Sequence, residues 1–322
     1  MKKANPVKAN IKGLNQVGII VRDIEKTVSD YWNILGIGPH VIVTVEPTGN
    51  YAMTYMGKPA KFKFRASFAQ AGQVELELIQ SIEGYTIYSD YLNEHGEGAH
   101  HIRSVPDSMP AMDRNVEAMS SNGFPLLMGG HDGNEVGFAY IDTTKALKTI
   151  WEAVKMPDSP PNVPAVIYPP DQQEVSPARI KVQAISRIGI VVKDVEKVAA
   201  DYRDIMGIGN WKISDMDSSS ILYKGETVKT AWKSARAIAG PMQLELIQPL
   251  RGDNIFNDFI HKHGEGIHHI QFIVNDIEET EDIMSIEGFP VLMKGESADG
   301  SFAFFDTTDP LKIIWEAVQL PG

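Results

Sequence analysis

The stretch Gly96–Val105 reads GEGAHHIRSV, and Gly264–Ile273 reads GEGIHHIQFI. Four of the nine histidines thus form two His-His pairs, each behind the same Gly-Glu-Gly. A histidine pair at the head of an apolar run is either a metal ligand with a neighbour or two ordinary polar strand residues. The spacing of everything around it decides.

Working outward, the same duplication continues in register. QVGIIVRDIEKTVSDYWNILGIG at Gln16–Gly38 matches RIGIVVKDVEKVAADYRDIMGIG at Arg187–Gly209. VELELIQSI at Val74–Ile82 matches MQLELIQPL at Met242–Leu250, and DTTKALKTIWEAV from Asp142 matches DTTDPLKIIWEAV from Asp306. Collinear matches of this kind mark a tandem repeat. Residues 12–155 and 182–320 are therefore expected to be two domains. Between them, 156–181 is rich in proline and reads as a stiff, extended linker.

A shorter repeat lies inside each copy. GIIVRDIEKT near the start resembles QFIVNDIEET at Gln271–Thr280, and sliding one onto the other places Gln16 on His269. VELEL likewise resembles TIWEAV, each carrying a Glu inside an apolar run. Four related units result. In the first, QVGIIV is β-rich, Asp23 suits a helix N-cap, and Ile24, Val28, Tyr31 and Leu35 share one helical face before Gly36. The following segments alternate with period two, as half-buried strands do. Each unit reads βαβββ, giving an α+β fold in which paired units curl mixed sheets around a pocket.

Composition narrows the chemistry. The net charge of -12 argues against nucleic acid as a partner, since phosphate binding needs a basic footprint. With no Cys, any metal must sit on His, Glu, Asp or Gln. The N-terminal MKKANPVKANIKGL has no apolar stretch for a signal peptide, and no run is long enough to span a bilayer, so a cytoplasmic location without membrane partners is expected. The alternation of Lys61, Lys63 and Arg65 with Phe62 and Phe64 reads as a solvated face, with anionic-substrate binding as the rival.

Repeated βαβββ units bearing LNQVGIIVRD, VELELIQ, HGEGAHHI and TIWEAV resemble the vicinal oxygen chelate superfamily. HGEG-x-HHI and ELIQPL are most similar to its methylmalonyl-CoA epimerase branch, while Gln at the first-strand position resembles glyoxalase I. The resemblance implies one divalent metal per pocket, with one ligand from each of four strands. It assigns Gln16, Glu77, His101 and Glu152 to the first copy, and Arg187, Glu245, His269 and Glu316 to the second. It leaves open whether units pair within a copy or across copies; crossing would give Gln16, Glu77, His269 and Glu316.

Two carboxylates, an imidazole and an amide oxygen suit Zn, Mn, Co or Ni. Such an ion acts as a Lewis acid on a carbonyl, and an adjacent carboxylate moves the α proton. The resemblance to glyoxalase I gives that proton-transfer role to Glu152. In the second copy Arg187 stays charged. A unit charge about 4 Å away costs on the order of 4 kcal/mol at an effective dielectric near 20, and roughly twice that against a dication. Arg187 is thus expected to pair with Glu245 and Glu316 and to exclude metal. His100 is expected to be structural, sent by strand alternation to the face opposite His101.

The functional expectation is a metal-dependent isomerase, epimerase or lyase that forms an enolate or enediolate of a small carbonyl compound. An extradiol-type dioxygenase and a non-catalytic binding module are the alternatives. The former needs two His and one carboxylate, and neither copy has the first-strand His. Homo-oligomerisation is compatible with all three.

Overall fold

The computed structural model describes residues 9, 11–47, 51–105, 108–132, 136–155, 164–171 and 174–322. The first unit runs β1 (Gln16–Ile20), α1 (Ile24–Leu35), β2 (His40–Val45), β3 (Ala52–Tyr55), β4 (Lys58–Pro59), β5 (Lys63–Ala71) and β6 (Val74–Glu83). After α2 (Ile87–His95), the second comprises β7 (Gly98–Ser104), α3 (Met109–Ser121), β8 (Leu126–His131), β9 (Gly137–Ile141), α4 (Thr144–Leu147) and β10 (Ile150–Lys155). A connecting strand, β11 (Ala165–Tyr168), precedes the third unit: β12 (Ile185–Val191), α5 (Val195–Met206), β13 (Lys212–Tyr223), β14 (Glu226–Ala239) and β15 (Met242–Arg251). After α6 (Ile255–His263) come β16 (Gly266–Val274), α7 (Ile277–Ile286), β17 (Val291–Ser297), β18 (Gly300–Phe305) and β19 (Ile314–Gln319). Four βαβββ units are present, with two further helices, α2 and α6, joining the halves of each copy.

Local chemistry explains the elements. Asp23 caps α1 by accepting from the Lys26 amide, and Gly36 ends it at φ 65°, a left-handed position that favours glycine. The α1 face predicted from the sequence, Ile24, Val28, Tyr31 and Leu35, is fully buried. Asp194 and Gly207 do the same for α5.

Units pair within each copy. The first copy forms an open sheet in the order β11-β2-β5-β6-β1-β7-β10-β9-β8-β3-β4; the second closes into the barrel β12-β15-β14-β13-β17-β18-β19-β16. The difference lies at one edge. The continuous strand β13 pairs with both β14 and β17 and closes the second sheet, whereas β2 and β3 split the corresponding stretch and leave the first open.

The connector is extended, as its prolines suggest, but it is packed in part: β11 pairs antiparallel with β2. Residues 156–163 and 172–173 of the predicted linker lie outside the described residues.

The two copies share one apolar core, which runs from Ile19, Tyr31 and Trp151 to Ile190, Tyr202 and Trp315. Matching hydrogen bonds cross between them: the Tyr31 hydroxyl donates to the Leu311 carbonyl at 2.7 Å, and that of Tyr202 to the Leu147 carbonyl at 2.9 Å. The Gly-Glu-Gly motif adds a second stitch. Glu97 accepts from the Arg22 amide and pairs with Lys312; Glu265 accepts from the Lys193 amide and pairs with Lys148. The glutamate of the opening motif is therefore interfacial.

Candidate functional site

Three strands of the first copy bring the chemistry together. In the β1–β6 and β1–β7 ladders, Gly18 stands opposite both Glu77 and His101. Having no side chain, Gly18 leaves room for the imidazole to lie over the strand: a Cβ there would fall 1.9 Å from His101 Cε1. Gly189 and His269 repeat this relationship. A glycine two residues after the candidate first-strand ligand was quoted in both repeats, but only the fold reveals its purpose.

His101 Nε2 lies 3.1 Å from Glu77 Oε2 and 3.3 Å from Glu152 Oε2. The three donor atoms fall within 4.8 Å of one another, and all three residues are buried. Glu152 sits on β10, in the interior of the sheet between β7 and β9.

Gln16, the fourth residue expected, is on β1 two positions before Gly18 and is fully buried. Its Nε2 donates to Glu75 Oε1 at 2.6 Å, which fixes the amide, while its Oε1 is buried without a partner. Arg103 also binds Glu75 Oε1, at 2.9 Å. The Glu75–Arg103 pair thus anchors Gln16 while consuming its own charge. A buried orphan acceptor is costly, and it suits an amide oxygen that serves a cation.

Electrostatics separate the two copies. Burial, reinforced by Glu152, pushes the Glu77 carboxyl up to about 7, against the pull of His101 and Arg103. Burial disfavours a charged His101, yet Glu152 and Glu77 hold its pKa up at about 9. In the first site two buried carboxylates therefore share a single imidazole as their counter-group. In the second copy, burial works against Glu245 too, but Arg187 and Arg236 hold it below its usual value.

The second copy fills the equivalent space with guanidinium. Arg187 donates to Glu245 at 3.0 Å and to Gln243 at 2.7 Å, and Arg236 takes the other Glu245 oxygen at 2.7 Å. Arg187 pairs with Glu245 as expected, but Glu316 is engaged by Gln271 at 2.7 Å, with His269 3.3 Å away. Arg236 was not singled out from the sequence. It occupies the β14 position opposite Glu245, where the first copy has Phe68 opposite Glu77. These groups line a cavity of about 330 Å³ with Trp232, Phe302 and Phe304. A larger cleft of about 830 Å³ runs between the copies, but it touches neither Glu77 nor Glu152.

The His-His pair is not a simple alternation. Gly18 faces His101 and Ile19 faces Ala99, so His100 is the extra residue of a β-bulge. Both rings are buried, with their Nδ1 atoms 3.0 Å apart. Burial holds His100 well below its ordinary pKa, so it stays neutral. With His100 neutral, the His101 Nδ1–H donates to it, the kind of outer hydrogen bond that would also orient the imidazole for a metal at Nε2. The bulge recurs at His268.

The predicted basic face is solvent-side ion pairing: Lys63 meets Glu46, and Arg65 meets Glu25. Among the described residues, no helix is long and apolar enough to cross a membrane.

Known proteins place this architecture. A curated relative, the uncharacterized protein YqjC of Bacillus subtilis strain 168, is 28% identical over 95 residues, which span 30% of this chain and 60% of that protein. A triple mutant of 4-hydroxymandelate synthase from Streptomyces coelicolor shares the fold at TM-score 0.61 and 15% identity, covering 97% of this chain and 93% of that one. A xylose isomerase-like TIM barrel/4-hydroxyphenylpyruvate dioxygenase fusion protein aligns over 99% of this chain and 50% of its own, at TM-score 0.56 and 13% identity. Identities this low speak to fold alone. The family profile of the glyoxalase/bleomycin resistance protein/dioxygenase superfamily matches residues 15–140 and 186–305, so both copies are covered, and the chain belongs to that superfamily.

Proposed function

We propose that the first copy binds one divalent metal through Glu77, His101, Glu152 and the Gln16 amide oxygen, and that the protein is a metal-dependent isomerase, epimerase or lyase acting on a small carbonyl compound. The observation that carries this reading is the buried Glu-His-Glu cluster, with an orphaned amide oxygen on the adjoining strand. Two carboxylates, one imidazole and one amide oxygen suit Zn, Mn, Co or Ni and leave room for substrate oxygens.

When bound, such an ion supplies Lewis-acid polarisation of a carbonyl oxygen. The chain supplies the rest. Glu152 takes the proton from the carbon α to that carbonyl and returns it, to the same or the neighbouring carbon. Glu77 and His101 fix the charge that Glu152 faces, and the aromatic shell of Phe64, Phe138 and Tyr140 keeps water from the carbanionic centre. The second copy, with Arg187 and Arg236 on Glu245, acts as a metal-free partner that completes the shared core.

A ring-cleaving dioxygenase is disfavoured by the donor set, one imidazole and two carboxylates rather than the reverse. The test is α-proton exchange in deuterated buffer across a panel of chiral carbonyl compounds, with metal-loaded protein. Exchange that disappears in Glu152→Gln supports the assignment. No exchange with any compound, alongside ligand binding unaffected by metal, would favour the non-catalytic binding module.

A further inference from the structure

The two copies offer an internal comparison at matching strand positions. On β9, Tyr140 is the register partner of Glu152, and its ring stands edge-on to His101 at 5.0 Å. On β18, Phe304 is the register partner of Glu316, and its ring stands edge-on to His269 at the same 5.0 Å. Behind them, Tyr88 of α2 is replaced by Phe256 of α6, each packed edge-on against the ring it supports. Two hydroxyls are thus present beside the Glu-His-Glu cluster and missing in the copy whose Glu245 is paired with arginine. Packing does not require them, since phenyl rings fill the same places.

The hydroxyls are ordered as a chain. Tyr88 donates to the Tyr140 oxygen at 2.9 Å, which leaves the Tyr140 proton free on the strand position paired with Glu152. Both tyrosines are fully buried, with no water route to satisfy either hydroxyl. In the second copy Glu316 finds its donor in Gln271 instead. Arg103, at the Gln271 position of the first copy, is committed to Glu75.

We propose that Tyr140, oriented by Tyr88, is a positioning residue that holds Glu152 in the rotamer needed both to ligate metal and to reach the substrate proton. This rests on the metal reading above. In this arrangement one carboxylate oxygen would accept from Tyr140, and the other would be left to the metal. Outer hydrogen bonds of this kind typically matter ten- to a hundredfold in metal affinity.

The experiment is Mn2+ binding to the full chain, followed by electron paramagnetic resonance, for wild type, Tyr140→Phe, Tyr88→Phe and Phe304→Tyr. Tyr140→Phe is expected to weaken binding by about ten- to a hundredfold and to change the bound-Mn2+ spectrum, a signature that looser packing alone would not give. Tyr88→Phe should shift both in the same direction by less, and it decides the matter if Tyr140→Phe does not fold. Phe304→Tyr should leave both unchanged. Wild-type affinity and spectrum in Tyr140→Phe and Tyr88→Phe overturn this inference and leave the metal site standing. A wild type that binds no Mn2+ overturns both.

Discussion

Gly18 and His101 are fitted to each other: the imidazole occupies the volume that any side chain at position 18 would need, with a Cβ only 1.9 Å from Cε1. The pair makes the site an obligate consequence of the backbone. His101 can reach across β1 to Glu77 because Gly18 presents no side chain there, while Glu152 is on the neighbouring β10. Gly189 beneath His269 repeats this geometry in the second copy, where arginine rather than glutamine stands two residues before the glycine.

Gly18→Ala is therefore expected to displace His101 or the strand. Overpacking of a filled interior costs about 1–3 kcal/mol, occasionally more, and here it should be accompanied by loss of metal binding. Gly189→Ala should cost a similar amount in stability and leave metal binding intact. Urea unfolding together with metal titration of both variants separates the two effects. Unchanged stability in either would contradict the close approach.

How much of this was legible beforehand follows from what spacing can encode. Repeats, alternation and caps reveal four βαβββ units because each is a local property, and α1 is a good example. Glu77, His101 and Glu152 could be named because their motifs resemble those that carry the superfamily's ligand positions. Other features depend on register between distant strands. Arg236 matters only because β14 sets it opposite Glu245; Tyr140 only because β9 sets it beside Glu152. The place of His100 escaped the alternation argument because a bulge breaks the period of two. Within-copy pairing, too, is a tertiary fact that neither motif states.

Acid should destabilise the fold through buried neutral histidine. Burial lowers the His40 pKa from 6.5 to about 4, partly offset by the Ile37 backbone. Since the unfolded chain binds the proton first, the stability His40 contributes is complete above pH 6.5 and is lost as pH falls toward about 4. The full shift corresponds to roughly 3 kcal/mol. His100 and His268, also held neutral by burial, act in the same direction. Denaturant unfolding of His40→Gln at about pH 7 and about pH 4.5 should show a smaller acid-induced loss than wild type. An identical loss would remove His40 from the explanation.

The second copy should regain a metal only when both guanidinium groups leave. Arg187→Gln alone keeps Arg236 on Glu245 at 2.7 Å, so metal should remain excluded. Arg187→Gln with Arg236→Phe reproduces the residues of the first copy at both positions. The double variant is expected to take up about one further Mn2+ per chain, because roughly 8 kcal/mol of repulsion against a dication is relieved at each guanidinium site. Equilibrium dialysis reads the stoichiometry; a second equivalent bound by the single variant would show that Arg236 does not matter.

The central claim, that one copy is built for metal and the other is not, is tested most directly by metal content after loading and dialysis of wild type, His101→Ala and His269→Ala. Removal of the one imidazole among the four proposed ligands should empty the site. The account predicts about one equivalent in wild type, close to none in His101→Ala, and about one in His269→Ala, since Arg187 already excludes metal beside His269. Two equivalents in wild type, or loss of metal in His269→Ala with retention in His101→Ala, would contradict it.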